Sequence, residues 1–136
     1  RHNEESRALP PRYSALTLTL DFAGLEDMWD RIDRRVDKMM EAGLEAEVRA
    51  LLDSGVPRRC TAMQAIGYKE LIPVVSGELT AAEAAAQIKL RSRQYAKRQR
   101  TWFRRNQEAK TLLWEPVPNF ADVLQRSTAY LEEFGI

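Results

Sequence analysis

Thr80-Ala81-Ala82-Glu83 is a capping box: the threonine hydroxyl can accept from the Glu83 amide while the glutamate reaches back to the Thr80 amide. It opens the longest helical stretch in the chain, roughly residues 80–106. The stretches before it are also helical. From Leu25, apolar residues fall at Leu25, Met28, Trp29, Ile32, Val36, Met39 and Met40, three and four apart, so one stripe faces a core. Arg31, Arg34, Arg35 and Lys38 lie off that stripe, and Gly43 ends or bends the helix. A second run, Leu44 to Leu52, closes at Gly55 with Pro57 just beyond, a helix-stop pattern. Residues 61–75 predict another helix, weakened at Gly67, and a last one spans about 119–134.

Only two segments read as strands. In residues 14–22, SALTLTLDF, Leu16, Leu18 and Leu20 alternate with threonines and Phe22 keeps the phase, which predicts one buried face. A lone strand cannot satisfy its own backbone groups, and the one other candidate is TLLWE, residues 111–115. The fold class is therefore mostly α with one or two short strands, and so poor a sheet suggests part of something larger.

At 136 residues the chain fits one domain able to bury a real core. No apolar run approaches the roughly 18 residues of a membrane helix. Residues 1–12, RHNEESRALPPR, read as a polar linker with no signal-peptide pattern, and 13–136 as the folded part. The missing initiator Met permits processing or a fragment. One cysteine, Cys60, allows no internal disulfide and suits a reducing cytoplasm. Cys60 reads as a small packed residue rather than a nucleophile, because the only histidine, His2, sits in the polar tail. One His and one Cys make no zinc set.

The formal net charge is only +1, yet from Lys89 to Lys110 there are nine Lys or Arg and one acid, Glu108. On a helical wheel Ile88, Ser92, Tyr95, Gln99 and Trp102 share a face, with Ala85, Ala96 and Phe103 beside it. Lys89, Arg93, Lys97, Arg100 and Arg104 form a second stripe. This predicts aromatics packed inward, as core rather than base-stacking platforms, and cations projecting outward in a row. Like charges at i and i+4 cost a few tenths of a kcal/mol per pair, so the stripe calls for an anionic partner or neighbouring acids. A phosphate backbone would also release counterions. A solvated charged face is the alternative.

The order of residues says more. SRQYAKRQRTWFR (92–104), AMQAIGYKE (62–70) and RIDRRVDKMMEAGLEAEV (31–48) together resemble the C-terminal half of the tRNA dimethylallyltransferases, also called tRNA isopentenylpyrophosphate transferases. The segments occur in that family's order and cover most of residues 14–115; Ser92 stands where the family commonly has Thr. The resemblance implies the C-terminal part of an α/β fold like a P-loop nucleotide kinase. It implies transfer of a dimethylallyl group from dimethylallyl pyrophosphate to N6 of the adenosine 3′-adjacent to a tRNA anticodon. No G-x-x-x-x-G-K-[ST] loop occurs here, and the family's adenine-facing aspartate has no match either. The chain thus reads as a C-terminal fragment, inactive by itself. Mg2+ is expected in the whole enzyme, with ligands outside this chain and none within it.

By the same resemblance Arg35 is the candidate catalytic residue, near the pyrophosphate, where a bidentate guanidinium suits the group. A surface cation paired with Asp37 or Glu41 is the alternative. Gln64, Ala65, Ile66, Gly67, Tyr68 and Lys69 match one tRNA-contacting segment. Gly67 would let backbone approach RNA, or serve helix packing; Tyr68 would stack on a base, or belong to the core. Ser92, Arg93, Gln94, Tyr95, Ala96, Lys97, Arg98 and Gln99 match the other segment. Of these, Arg93, Lys97 and Arg98 are the phosphate candidates, and Arg93 could instead reach the pyrophosphate. Trp102 and Phe103 are assigned to packing. The implied partners are a tRNA anticodon stem-loop and dimethylallyl pyrophosphate, with no membrane, for a cytoplasmic monomer. A stand-alone helical RNA-binding module, an adenylate prenyltransferase acting on a free nucleotide, and a plain structural helical domain are the competing readings.

Overall fold

Strand β1 (Leu18–Phe22) and strand β2 (Lys110–Trp114) pair in parallel, with Leu18 opposite Lys110 and Phe22 opposite Trp114. Parallel neighbours cannot be joined by a tight turn and need a long crossover; here four helices fill it. This is a computed structural model describing residues 13–117 and 119–135, so the expected linker 1–12 and His2 lie outside the described residues.

Helix α1 (Leu25–Glu41) follows β1 and buries Met28 and Val36. Gly43, at φ 97°, adopts the left-handed conformation that separates α1 from α2 (Leu44–Asp53), whose Leu44 and Val48 face the same core. A 3-10 turn (Ala62–Gln64) leads to helix α3 (Tyr68–Val75), and α4 (Ala81–Phe103) returns to the sheet. The core joins Val36, Leu44, Val48, Met63, Leu71, Ala84 and Ile88, one or two residues from each of α1, α2, the 3-10 turn, α3 and α4, and Cys60 packs partly buried against it. The capping box forms as its spacing predicts: Thr80 Oγ1 accepts from the Glu83 amide at 3.2 Å and Glu83 Oε2 from the Thr80 amide at 2.9 Å. Helix α5 (Phe120–Phe134) is capped by Asn119 and leans on β2, where Phe120 meets Trp114 edge-on at 5.1 Å.

Four expectations need correction. Residues 61–75 are not one helix: the chain breaks between the 3-10 turn and α3, with Gly67 at φ 106°. The Glu70 carboxylate turns back to accept from the Gly67 amide at 2.8 Å, which starts a new helix there instead of continuing the old one. The strand begins at Leu18 rather than residue 14, and its predicted buried face fails at Leu20, which is 63% exposed. Leu20 lines an open cavity rather than a packed core. Helix α4 stops at Phe103, three residues short of the expected end. Finally, its aromatics do not all pack inward: Tyr95 is 54% and Trp102 65% exposed. The buried residues of α4 are Ala84 and Ile88, both in its first half, so the later turns run beyond the helices that cover its start.

Candidate anion and nucleic-acid interface

Helix α1, helix α4 and the sheet enclose a cavity of about 890 Å3. Its apolar wall comes from the stripe of α1, Met28, Ile32, Val36 and Met39, together with Ile88 and Phe103 of α4 and Phe22 of β1. Its charged groups are Arg35, Arg100, Arg104 and Asp21, three guanidinium groups against one carboxylate. Ser92, Tyr95, Ala96 and Gln99 of α4, and Ile66 from the loop before α3, also line it. A hydrocarbon surface beside an excess of positive charge suits a small amphiphile with an anionic head.

Arg35 stands one residue before Val36, so it leaves the buried stripe at the cavity's edge. It is exposed and has no carboxylate partner among the described residues. Asp37 is taken by Lys89 at 2.6 Å, Asp30 by Arg34 at 2.6 Å, and Asp33 by Arg93. The surface pairing of Arg35 with Asp37 or Glu41 is therefore not formed. Asp21, by contrast, is saturated. Arg100 Nε lies 2.7 Å and Arg104 Nη2 3.0 Å from its oxygens, and the Phe22 amide donates to it at 2.9 Å. Burial pushes its carboxyl up, but the hydrogen bond and charge of Arg100, with Arg104 and the Phe22 amide, outweigh that and hold it below the usual range.

The charged stripe of α4 is thus arranged differently from the outward row its wheel predicts. Lys89, Arg93, Arg100 and Arg104 each grip an acid of α1 or β1, and Lys97 alone among the five has no partner in the described residues. Arg93 binds Asp33 through both Nε, at 2.8 Å, and Nη2. That hydrogen bond raises the guanidinium pKa, against a smaller effect of burial. The signal was present in the sequence. Asp33 and Asp37 are four apart, as are Lys89 and Arg93, and they pair in reverse order as antiparallel helices require.

The segment Ser92–Gln99 consequently has two sides. Ser92, Tyr95, Ala96 and Gln99 face the cavity; Gln94, Lys97 and Arg98 face away. With Thr101, Trp102 and Arg105 the latter line a second depression of about 480 Å3 on the opposite side of α4. The wheel position of Trp102 puts it in the core, so its place in this depression is not visible from the sequence.

In the other segment, Ile66 reaches the cavity while Gln64, Ala65 and Lys69 are exposed. Gln64 Nε2 donates to the Arg58 carbonyl at 3.3 Å, and Gly67 is buried beneath the turn. Tyr68 packs half-buried against the core and donates its hydroxyl to the Glu47 carboxylate, whose hydrogen bond raises the phenol pKa. Glu70 is buried, and Arg91 Nε stands 3.8 Å from it, so one carboxylate braces the loop against α4. Among the described residues no three His, Cys, Asp or Glu side chains converge to hold a metal. Asp21, Asp33 and Asp37 are each held by a cation and do not fit an Mg2+ site. No helix among them is long and apolar enough to cross a membrane.

The sequence profile described as IPP transferase matches residues 1–106. A tRNA dimethylallyltransferase of Acetivibrio thermocellus is 38% identical over 137 residues, covering 99% of this chain and 43% of that protein. One from Trichlorobacter lovleyi is 50% identical over 117 residues, 86% of this chain and 37% of the relative. Among solved structures, the Staphylococcus epidermidis tRNA delta(2)-isopentenylpyrophosphate transferase superposes with a TM-score of 0.84 at 32% identity, covering 98% of this chain and 43% of that one. The full-length tRNA isopentenylpyrophosphate transferase of Bacillus halodurans gives 0.80 at 34% identity, covering 96% and 42%. The chain spans about two fifths of the length of these proteins.

Proposed function

This chain belongs to the IPP transferase family, and from that premise we propose that it supplies the tRNA-facing and pyrophosphate-facing part of a tRNA dimethylallyltransferase. The reaction joins N6 of the adenosine 3′-adjacent to the anticodon to C1 of a dimethylallyl group. The C1–O bond breaks, pyrophosphate leaves with the electron pair, and the amine proton passes to a base; the aspartate that the resemblance implies for that role has no match in this sequence. The adenine must leave its stack to react. The protein works as a cytoplasmic monomer.

One observation carries the reading. A single cavity is lined by Arg35, by Ile66 of one candidate tRNA segment, and by Ser92, Tyr95, Ala96 and Gln99 of the other. Its apolar wall suits a five-carbon prenyl tail. Arg35, which has no carboxylate partner among the described residues, is available to the leaving pyrophosphate, where its charge gains value as negative charge develops. Arg100 and Arg104 are tied to Asp21 and add field rather than direct contact.

The test is a chimaera in which this chain replaces the matching part of the Acetivibrio thermocellus protein. Labelled dimethylallyl pyrophosphate and an anticodon stem-loop RNA are the substrates. The chimaera is expected to label the RNA, whereas the 136-residue chain by itself is not, having no G-x-x-x-x-G-K-[ST] loop and no match to the family's aspartate. A folded chimaera without transfer, or transfer by the chain alone, would overturn the proposal.

A further inference from the structure

The face of α4 turned away from the cavity carries chemistry that the transfer reaction does not use. Trp102 is 65% exposed, with Phe103 edge-on to it at 4.9 Å. Lys97, Arg98 and Arg105 surround the indole, Gln94 and Thr101 complete the depression, and no acid lines it. None of the three cations has a carboxylate partner among the described residues, although Lys89, Arg93, Arg100 and Arg104 on the same helix each have one. The helix therefore sorts its cations. Those facing α1 and β1 are neutralised, and those around the exposed indole are left free.

An exposed indole ringed by three unpaired cations is poorly suited to a second protein helix, which would have to bring its own acids. It is well suited to single-stranded nucleic acid, where every base offers a π-face and every nucleotide a phosphate. We propose that Trp102 is a stacking platform for one unpaired RNA base, with Lys97, Arg98 and Arg105 on the flanking phosphates. The site lies across α4 from the cavity, so this base is not the reacting adenine. It is a second nucleotide of the same RNA, held outside the reaction site. The inference deepens the tRNA reading above and rests on it.

The probes are a single-stranded homopolymer RNA and the same strand fully duplexed, each titrated into the 136-residue chain at several salt concentrations. Trp102→Ala should weaken single-strand binding roughly 5- to 150-fold, the equivalent of about 1–3 kcal/mol per stacked base. Trp102→Phe should retain most of the affinity. Duplex binding should be unaffected by either change, and the salt slope should stay as in the parent because no charge is removed. The melting temperature of Trp102→Ala should match the parent, as expected for a ring this exposed; were it to fall, Trp102→Phe against the parent carries the comparison, and a loss on single strand and duplex alike with Phe would overturn the stacking role. Single-strand binding unchanged in Trp102→Ala overturns the inference and leaves the tRNA reading standing. Failure of the parent chain to bind either RNA overturns both.

Discussion

Arg100 Nε lies 2.7 Å from Asp21 Oδ1, joining the last turns of helix α4 to the edge of strand β1. Both side chains are mostly buried, 14% and 12% exposed, and Arg100 also donates to the Phe22 carbonyl at 2.9 Å. The two groups come from positions 79 residues apart. The pair closes one side of the cavity, and it removes Arg100 from the set of cations free to meet a phosphate.

Asp21→Asn should therefore destabilise the fold. Breaking a buried pair costs about 3–5 kcal/mol, and the residual exposure here puts the expectation at the lower end. The pH dependence follows from the direction of the shift. Asp21 has a lowered folded pKa, so its contribution is complete above the unfolded value of about 3.9 and is lost as pH falls through the lower folded value. Urea melts at neutral pH and near pH 3 check this. The gap between parent and Asp21→Asn should narrow in acid, and an equal gap at both pH values would count against the pair.

Gly67→Ala should lower stability by about 1–2 kcal/mol, the strain of holding a Cβ-bearing residue at positive φ. Space is not the obstacle, because an added Cβ would meet Leu44 Cδ2 only at 3.6 Å, with φ at 106°. The glycine is needed here for its backbone conformation, which shapes the loop that carries Ile66 to the cavity. Chemical denaturation measures the cost. Unchanged stability would mean that the loop relaxes out of this conformation.

These two cases show where the sequence is legible. Local signals hold: the Thr80–Glu83 box, the Gly43 break and the apolar stripe of α1 lie where their spacing puts them. The break at Gly67 was half visible as a weak helix position, but the Glu70 carboxylate that stabilises it is a tertiary choice between two local structures. The face of α4 was legible only in part. A wheel orients one helix against a single core, whereas α4 is covered by other elements at its start and bare on its outer side at its end. The wheel puts Trp102 in a core that does not extend that far.

Arg35→Ala in the chimaera should lower the single-turnover rate of transfer more than it lowers RNA affinity. A charge acting on a developing pyrophosphate is worth roughly 2–4 kcal/mol of transition-state stabilisation. Arg35 has no ion pair among the described residues to lose, so a rate effect would not be a disguised stability effect. Rapid-quench kinetics alongside equilibrium RNA binding separate the two. A wild-type single-turnover rate would make Arg35 a surface cation.

The salt dependence of RNA binding distinguishes free cations from engaged ones on α4. On the wheel alone, Lys97 and Arg100 belong to one phosphate-binding row; in the fold, Arg100 is committed to Asp21 and Lys97 is free. Lys97→Gln with Arg98→Gln should flatten the log–log salt slope by about 1.4 to 1.8, the lower figure for single strands and the higher for duplex. Arg100→Gln should leave that slope unchanged while lowering the melting temperature, because it strips a mostly buried carboxylate of its main partner. Binding titrations across a salt series, paired with thermal melts, read both quantities on the same variants. If Arg100→Gln flattened the slope and the Lys97/Arg98 variant did not, the RNA would lie on the α1 side of the helix and would have to displace the Asp21 pairing to bind.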